Sequence, residues 1–266
     1  MNIFICVNYN SSRETINYVG SIIELSDWFE SRIIIVDNFS EKEEVDILSE
    51  YLYSLSDNKI KLILAKANLG YFGGLNIGIE YGLKNFGFDN YFIVGNNDIK
   101  FDIDFLKELK KIRVSDDLLV LAPDIVTKNG IHENPHVINK ISLLRKLAYR
   151  IYYTNFFVAK LIHMFYSPKR KPKAFVNESM DIRMGIGALY ILTPVFFRYF
   201  SALWDKVFLY GEEAILAKQI RSVKGRIRYI HTLKCYHNES YTTSKLPARK
   251  KYEIMRKSYF TYNKYL

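Results

Sequence analysis

Residues 32–40 read RIIIVDNFS. Three isoleucines and a valine run unbroken into Asp37, Asn38 and Ser40, a short β-rich apolar run closed by polar residues. The same plan recurs on both sides. Asn2–Val7, Ile60–Ala65 and Tyr91–Val94 are further apolar runs, and helical patterns lie between the runs at Arg13–Trp28, Glu41–Ser54 and Leu75–Asn85. Ser11 or Ser12 can cap the first helix and Ser40 the second. Strand and helix alternating in this way specify an α/β fold with a mainly parallel sheet covered by helices. Ligands of such sheets bind beyond the carboxyl ends of the strands. That rule selects Asn8–Asn10, Asp37–Ser40, Ala67–Gly74 and Gly95–Asp98, each rich in Asn, Asp, Gly or Ser.

After a fifth expected strand at Leu118–Ala122 the pattern changes. Asn139–Tyr166 is apolar, aromatic and basic and reads as one or two helices, followed by the basic, proline-broken segment Ser167–Lys173. Strand-like sequence resumes at Asp181–Leu192, and helix at Pro194–Ala202 and Glu212–Val223. Two short strands follow at Arg226–Ile230 and Leu233–His237, then a basic tail helix from about Pro247.

With 49% hydrophobic and 25% charged residues over 266 positions, wholesale disorder is excluded. Cys6 and Cys235 are the two cysteines, both in strand-like runs, so a disulfide framework is excluded and a reducing compartment is expected. MNIFICVNYN lacks the basic and long apolar regions of a signal peptide, and no stretch approaches the roughly 18 apolar residues that span a bilayer. The expectation is a cytoplasmic protein, soluble or peripheral on the inner face of the plasma membrane. The net charge of +10 is concentrated. Nine Lys or Arg and no acid lie between Pro135 and Asn177, and the last twenty-two residues hold seven more against Glu253. The rest of the chain is net acidic. Such patches attract phosphates, on nucleic acid or on anionic lipid.

Four local signals can carry chemistry. Asp37, ending a buried strand, can accept hydrogen bonds from a ribose or base, or cap the following helix. NLGYFGGLNIG places Gly70, Gly73, Gly74 and Gly78 around Asn68 and Asn76. Those glycines allow close backbone approach to a phosphate or sugar, or simply a tight turn. In VGNND, Asp98 with Asn96 and Asn97 follows an apolar run. A carboxylate there can hold magnesium or manganese on a diphosphate, and an Asn-rich turn is the alternative. Glu212 and Glu213 open a helix in FLYGEEAIL, as partners of its dipole or with one of them a general base. His237, in KCYHNES, ends an apolar run as a ligand or a structural histidine.

In order, VDNFS, NLGYFGGLNIGIEYGL, YFIVGNND, GALYILTPVFFRYF, WDKVFLYGEEAIL and a late YHNES resemble family 2 glycosyltransferases. The resemblance extends from residue 1 to about 240 and is strongest to the bacterial rhamnosyltransferase-like branch of O-antigen and capsule synthesis. It implies a GT-A fold: a Rossmann-like, mostly parallel sheet with flanking helices. Residues 1–125 would form the nucleotide-sugar-binding half, 139–173 a basic helical insertion, 181–240 the acceptor and catalytic half, and 241–266 a basic tail helix. It implies a UDP- or dTDP-linked sugar donor, a divalent metal (Mn or Mg), and a saccharide or lipid-diphosphate-linked saccharide acceptor. Tyr9, Asp37 and Asn68 would contact the nucleoside. Asn10, Gly70, Gly74, Asn76, Asn96, Asn97 and Asp98 complete the expected donor site, with Asp98 and His237 on the metal. Glu213 falls at the position of the catalytic base, Glu212 before it, and Gly185–Ala188 would form the pocket floor. Two departures stand out: Glu-Glu replaces Glu-Asp, and Asn96 replaces the first acid of an Asp-x-Asp.

A nucleotidyltransferase requires a glycine-rich phosphate loop after the first strand, where this chain has NYNSSRE. A nucleic-acid-binding module would account for the basic aromatic stretch but leaves the polar strand ends unexplained, so no nucleic-acid partner is expected. A scaffold with a degenerate site shares every motif and differs only in turnover.

Overall fold

The computed structural model describes residues 1–165, 175–238 and 248–266. Ser167–Lys173, Glu239 and Ser240 of the late motif, and the expected tail start at Pro247 lie outside the described residues. The strands are β1 (Asn2–Asn8), β2 (Ser31–Asp37), β3 (Ile60–Leu64), β4 (Tyr91–Asn96), β5 (Ile99–Phe101), β6 (Leu118–Thr127), β7 (Met180–Ile182), β8 (Leu189–Leu192) and β9 (Arg226–His237). The helices are α1 (Ser12–Ile23), α2 (Lys42–Leu55), α3 (Gly70–Phe86), α4 (Phe105–Lys110), α5 (Leu143–Tyr152), α6 (Phe156–Phe165), α7 (Glu212–Ser222) and α8 (Ala248–Tyr262).

The strands form one sheet in the order β3-β2-β1-β4-β8-β6-β9-β5, with β7 also on β9. The expected parallel character holds for β3-β2-β1-β4. Beyond β4 it gives way, because β8 runs antiparallel to both β4 and β6, and β5 and β7 run antiparallel to β9. Both faces of the first half are covered, which is why its strands read as continuous apolar runs. Ile3 and Ile5 of β1 pack with Phe72, Leu75 and Ile79 of α3, while Phe4 and Cys6 pack with Tyr18, Val19 and Ile22 of α1.

Five local expectations are corrected. Helix α3 begins at Gly70, five residues before Leu75, so most of the glycine-rich stretch is helix rather than loop. The Asp181–Leu192 run splits into β7 and β8, because its two ends occupy different places in the sheet. Pro194–Ala202 forms only a 3-10 turn at Phe196–Arg198. Arg226–His237 is one strand, not two: its pairing with β6 jumps from Ile230 to Lys234, so residues 231–233 bulge out of the ladder. The caps of α1 and α2 are Ser11 and Glu41, and neither makes a side-chain capping bond.

Small residues let α3 lie close on the sheet. A methyl group at Gly78 would fall inside contact distance of Ile5 Cγ2, and one at Gly82 would come within 2.6 Å of Phe92. Gly20 in α1 has nothing within 4 Å of the same position. Gly78→Ala is therefore expected to destabilise the fold by about 1–3 kcal/mol through overpacking. Gly20→Ala should stabilise it by up to about 1 kcal/mol through helix propensity. Chemical denaturation of the two variants beside the parent chain checks the opposite signs.

Candidate active site

The turns after β1, β2 and β3 are tied together by buried polar side chains. Asn8 Nδ2 donates to Asp37 Oδ2 at 2.7 Å, and the Ser40 amide donates to Asp37 Oδ1 at 3.0 Å. Asp37 therefore braces its own turn and caps nothing. Asn10, at φ +50°, links the first two turns: its amide donates to Ser40 Oγ and its Oδ1 accepts from the Glu41 amide. Asn38 reaches the third, donating to Asn68 Oδ1 at 3.1 Å and Gly70 O at 2.9 Å and accepting from the Leu69 amide at 3.0 Å. Tyr9 is exposed beside this layer.

A second cluster is built by sheet pairing. Strand β9 lies between β5 and β6, and its last residue, His237, pairs with Ile99 on one side and Thr127 on the other. The imidazole therefore lies between the β4–β5 turn, which carries Asp98, and the segment after β6, which carries Glu133. His237 Nδ1 lies 2.7 Å from Glu133 Oε2, and Nε2 lies 3.3 Å from Asp98 Oδ1 and 3.5 Å from Asn96 Nδ2. Burial opposes charge on the ring, but hydrogen bonding to Asp98 and Glu133 outweighs it and pushes its pKa up to about 10.

Among the described residues no group of three or more His, Cys, Asp or Glu is placed to hold a metal. What the chain offers is a pair. Asp98 Oδ1 is buried and, among the described residues, has no hydrogen-bond partner besides the charged His237 imidazole, whose Nε2 lies 3.3 Å away; a cation bound by the pair would take the place of the Nε2 proton. A histidine that ligates through one nitrogen and hands the other to a carboxylate is the usual metal-site arrangement, with Glu133 in the supporting place. The pair therefore fits a divalent cation whose other ligands come from phosphate oxygens and water.

The third cluster opens α7. Glu213 Oε1 accepts from the Gly187 amide at 3.3 Å, and a methyl group at Gly187 would stand 2.9 Å from that oxygen. Only glycine leaves the carboxylate its place, so one residue of the expected pocket floor contacts the base candidate directly. Glu212 is buried, and its Oε1 has no hydrogen-bond partner. Burial raises the pKa of both carboxyls, and the neighbouring Glu213 charge adds to the rise at Glu212. Tyr71 joins the clusters. Its hydroxyl donates to Gly187 O at 2.7 Å, and burial, then the charges of Glu212, Asp98 and Glu213, push its phenol well up.

Several expected donor contacts have other partners. Both ends of the Asn76 amide bond the Leu203 backbone, at 2.9 Å each. Asn97 turns inward, donating to Thr15 Oγ1 at 2.7 Å and Ser11 Oγ at 2.9 Å. Gly70, at φ +77°, is required because the Phe208 carbonyl presses on it, and Gly74 is packed against Val7 and Asn38. These four hold the scaffold. Asn68 alone in that stretch keeps an amide nitrogen without a protein partner among the described residues. Sequence reasoning missed Glu133, Tyr71 and Asn38. Only Asn38 carried a signal, lying within the polar strand end Asp37–Ser40.

Comparison with known proteins places the chain in a family and a fold. The family model described as Glycosyl transferase family 2 matches residues 3–175. A low-salt glycan biosynthesis hexosyltransferase, Agl10 of Haloferax volcanii, is 27% identical over 144 residues, covering 54% of this chain and 43% of that protein. The chain thus spans less than half the length of that curated relative. Among solved structures, GalNAc-T7 with UDP, GalNAc and Mn2+ superposes with a TM-score of 0.61 at 13% identity, covering 93% of this chain and 45% of the other. The mannosyltransferase PcManGT of Pyrobaculum calidifontis with GDP-Man and Mn2+ gives 0.60 at 12%, covering 98% and 62%. At such identities the likeness shows the fold alone, the GT-A fold.

The buried Glu212 sets a pH dependence of stability. Its carboxyl is held up to about 8 from an ordinary 4.5. A group whose folded pKa is raised contributes stability that is present below its unfolded pKa and lost as pH rises through the folded one. Glu212→Gln should therefore melt near the parent temperature at pH 4.5 and progressively above it towards pH 9. Thermal unfolding across that range measures the gap; a gap independent of pH would contradict a buried, ionising Glu212.

Proposed function

The chain belongs to glycosyl transferase family 2, and on that premise we propose that it moves a hexose from a nucleotide-diphosphate sugar to a saccharide hydroxyl in a single inverting displacement. One observation carries the reading. Gly187 joins Tyr71 to Glu213, a carboxylate only partly covered by protein, and the charges of Asp98 and Glu213 both act on the Tyr71 phenol, so the base candidate shares a polar neighbourhood with Asp98 of the pair suited to a diphosphate-bound cation.

Glu213, rather than the buried Glu212, accepts the proton of the acceptor hydroxyl. The acceptor oxygen forms its bond to the anomeric carbon as the bond from that carbon to the diphosphate oxygen breaks, and the nucleoside diphosphate leaves with the electron pair. Burial raises the basicity of Glu213 towards what proton abstraction near neutral pH needs. Asp98 and His237 hold Mn2+ or Mg2+, with Glu133 orienting the imidazole. When bound there, the cation supplies positive charge against the diphosphate leaving group. Tyr9, Asp37 and Asn68 receive the nucleoside, and Asn96 borders the diphosphate.

The donor is a rhamnose-, galactose- or glucose-type sugar on UDP or dTDP. The acceptor is a lipid-diphosphate-linked saccharide of O-antigen or capsule synthesis, met at the inner face of the plasma membrane. The order of motifs, closest to the rhamnosyltransferase-like branch, supports this. So does the hexosyltransferase role in glycan biosynthesis that the name of the haloarchaeal relative states.

Thermal shift over UDP-, dTDP- and GDP-sugars, with and without Mn2+, followed by turnover with the donor found, tests the reading. Glu213→Gln should retain donor binding and lose transfer by at least about a hundredfold, the scale of general-base loss, whereas Glu212→Gln should lose much less. Binding without turnover of any donor would instead identify a scaffold. Glu133→Gln should leave metal-saturated turnover nearly unchanged while raising the Mn2+ concentration for half-maximal activity about 10- to 100-fold. An unchanged Mn2+ requirement would exclude Glu133 from supporting His237.

A further inference from the structure

Helices α5 and α6 each have two apolar faces. The inner one is aromatic: Tyr153 stacks on Tyr259 of α8 with ring centroids 4.5 Å apart, and Tyr152 and Phe156 meet Tyr252 at 5.9 and 5.5 Å. Tyr252 Oη and Arg256 Nε donate to the carbonyls of Tyr152 and Tyr153. Tyr152, Tyr153 and Phe156 thus fasten α8 rather than face outward.

The outer face is apolar and uncovered. Leu143, Leu144, Leu147 and Ile151 recur at helical spacing along α5, and Phe157, Leu161, Met164 and Phe165 along α6. Leu143, Leu144, Phe157 and Phe165 are between 77 and 82% exposed. Single exposed leucines are ordinary, but two adjacent helices with a continuous apolar stripe each are not. The charge around the stripes has one sign. Arg145, Arg150 and Lys160 are exposed on the same helices, and no acid occurs between Pro135 and Asn177. On α8, Phe260 is exposed beside Arg256, with Lys257 next to it.

We propose that the outer face of α5 and α6 docks on an anionic lipid bilayer, the apolar stripes entering the headgroup boundary and the cations meeting lipid phosphates. Helices of 10 residues reach about 15 Å, half a bilayer core, so they lie in the surface and do not cross it. No helix among the described residues is long and apolar enough to cross. The exposed cations of α5 and α6, with no acid on either helix, favour an anionic surface over a second copy of this chain, which would set like charges against each other.

The docked face connects to the chemistry. Ser258 Oγ of α8 donates to Leu209 O at 2.6 Å, and the Tyr262 ring lies against Gly211, directly before Glu212. A bilayer bound at α5 and α6 thus lies against the module that carries the base, where a lipid-borne acceptor would be. The inference deepens the proposed acceptor class and rests on that reading, but the docking itself is measured without any sugar.

The purified full chain is floated with vesicles of neutral phosphatidylcholine and with vesicles containing phosphatidylglycerol, at low and high salt. The expected result is preferential binding to the anionic vesicles that weakens with salt. A Leu144→Ser, Phe157→Ser, Phe165→Ser variant should partition at least about tenfold less while keeping the parent melting temperature. Its donor hydrolysis in the absence of vesicles should be unchanged. Binding that is absent, equal on neutral and anionic vesicles, or untouched in the variant overturns the proposal. So does a dimer in solution that the same variant dissociates, since a second copy would then cover the face. Vesicle binding by a chain that turns over no donor supports the docking face and counts against the transfer reading alone.

Discussion

A buried imidazole held between two carboxylates organises the chemical end of this protein. Withdrawing charges from water costs several kcal/mol per ion unless they are paired and hydrogen-bonded. The contacts of His237 with Asp98 and Glu133 make the cluster tolerable in the interior. Because the three residues come from three separate segments, the same contacts pin the β4–β5 turn and the chain after β6 to the end of β9. The pairing of β9 with β5 and β6 places them; the charge pairing holds them there. The combination leaves Asp98 Oδ1 buried with only the imidazole contact at 3.3 Å, and that weakly satisfied oxygen is what suits the brace to the cation proposed there.

The loop before α7 is held from two sides by unlike means. From α3, the Tyr71 amide donates to Phe208 O and Asn76 bonds the Leu203 backbone, while Gln219 of α7 accepts from the Trp204 amide. From α8, Ser258 and Tyr262 close on Leu209 and Gly211. Glu212 and Glu213 follow at once as the first residues of α7, so a buried and a partly covered carboxyl stand side by side with little freedom to separate. Backbone amides at the start of α7 and the Gly187 amide offset part of the cost of charge at Glu213. Glu212 lacks such a partner for Oε1, so it is the member whose charge is hardest to sustain.

The basic, aromatic C-terminal half belongs to the same construction. Tyr152, Tyr153 and Phe156 form the aromatic interface that fastens α8 behind the loop, and leucines, Ile151, Met164, Phe157 and Phe165 are left outside. One stretch thereby serves support and surface with different residues on opposite helix faces, a division that period and composition together cannot assign.

The strands and helices of the first half were legible because buried parallel strands are continuous apolar runs and their covering helices have a period near 3.6. The polar strand ends, Asp98, the Glu212–Glu213 pair and His237 stood out in the sequence as candidates, since few residue types can do such chemistry, and the fold brings Asp98 and His237 together. The partners of those residues were not. Asn76 and Asn97 read as ligand contacts, yet backbone or hydroxyl groups beside them in space take up their amides. Glu133 and Tyr71 read as nothing in particular, yet one backs the histidine and the other joins the clusters. Sequence determined which groups were available and which segments would form strands and helices. Tertiary structure decided which groups meet, because an ion pair or a hydrogen bond depends on separations of about 3 Å that only the packing of distant segments can set.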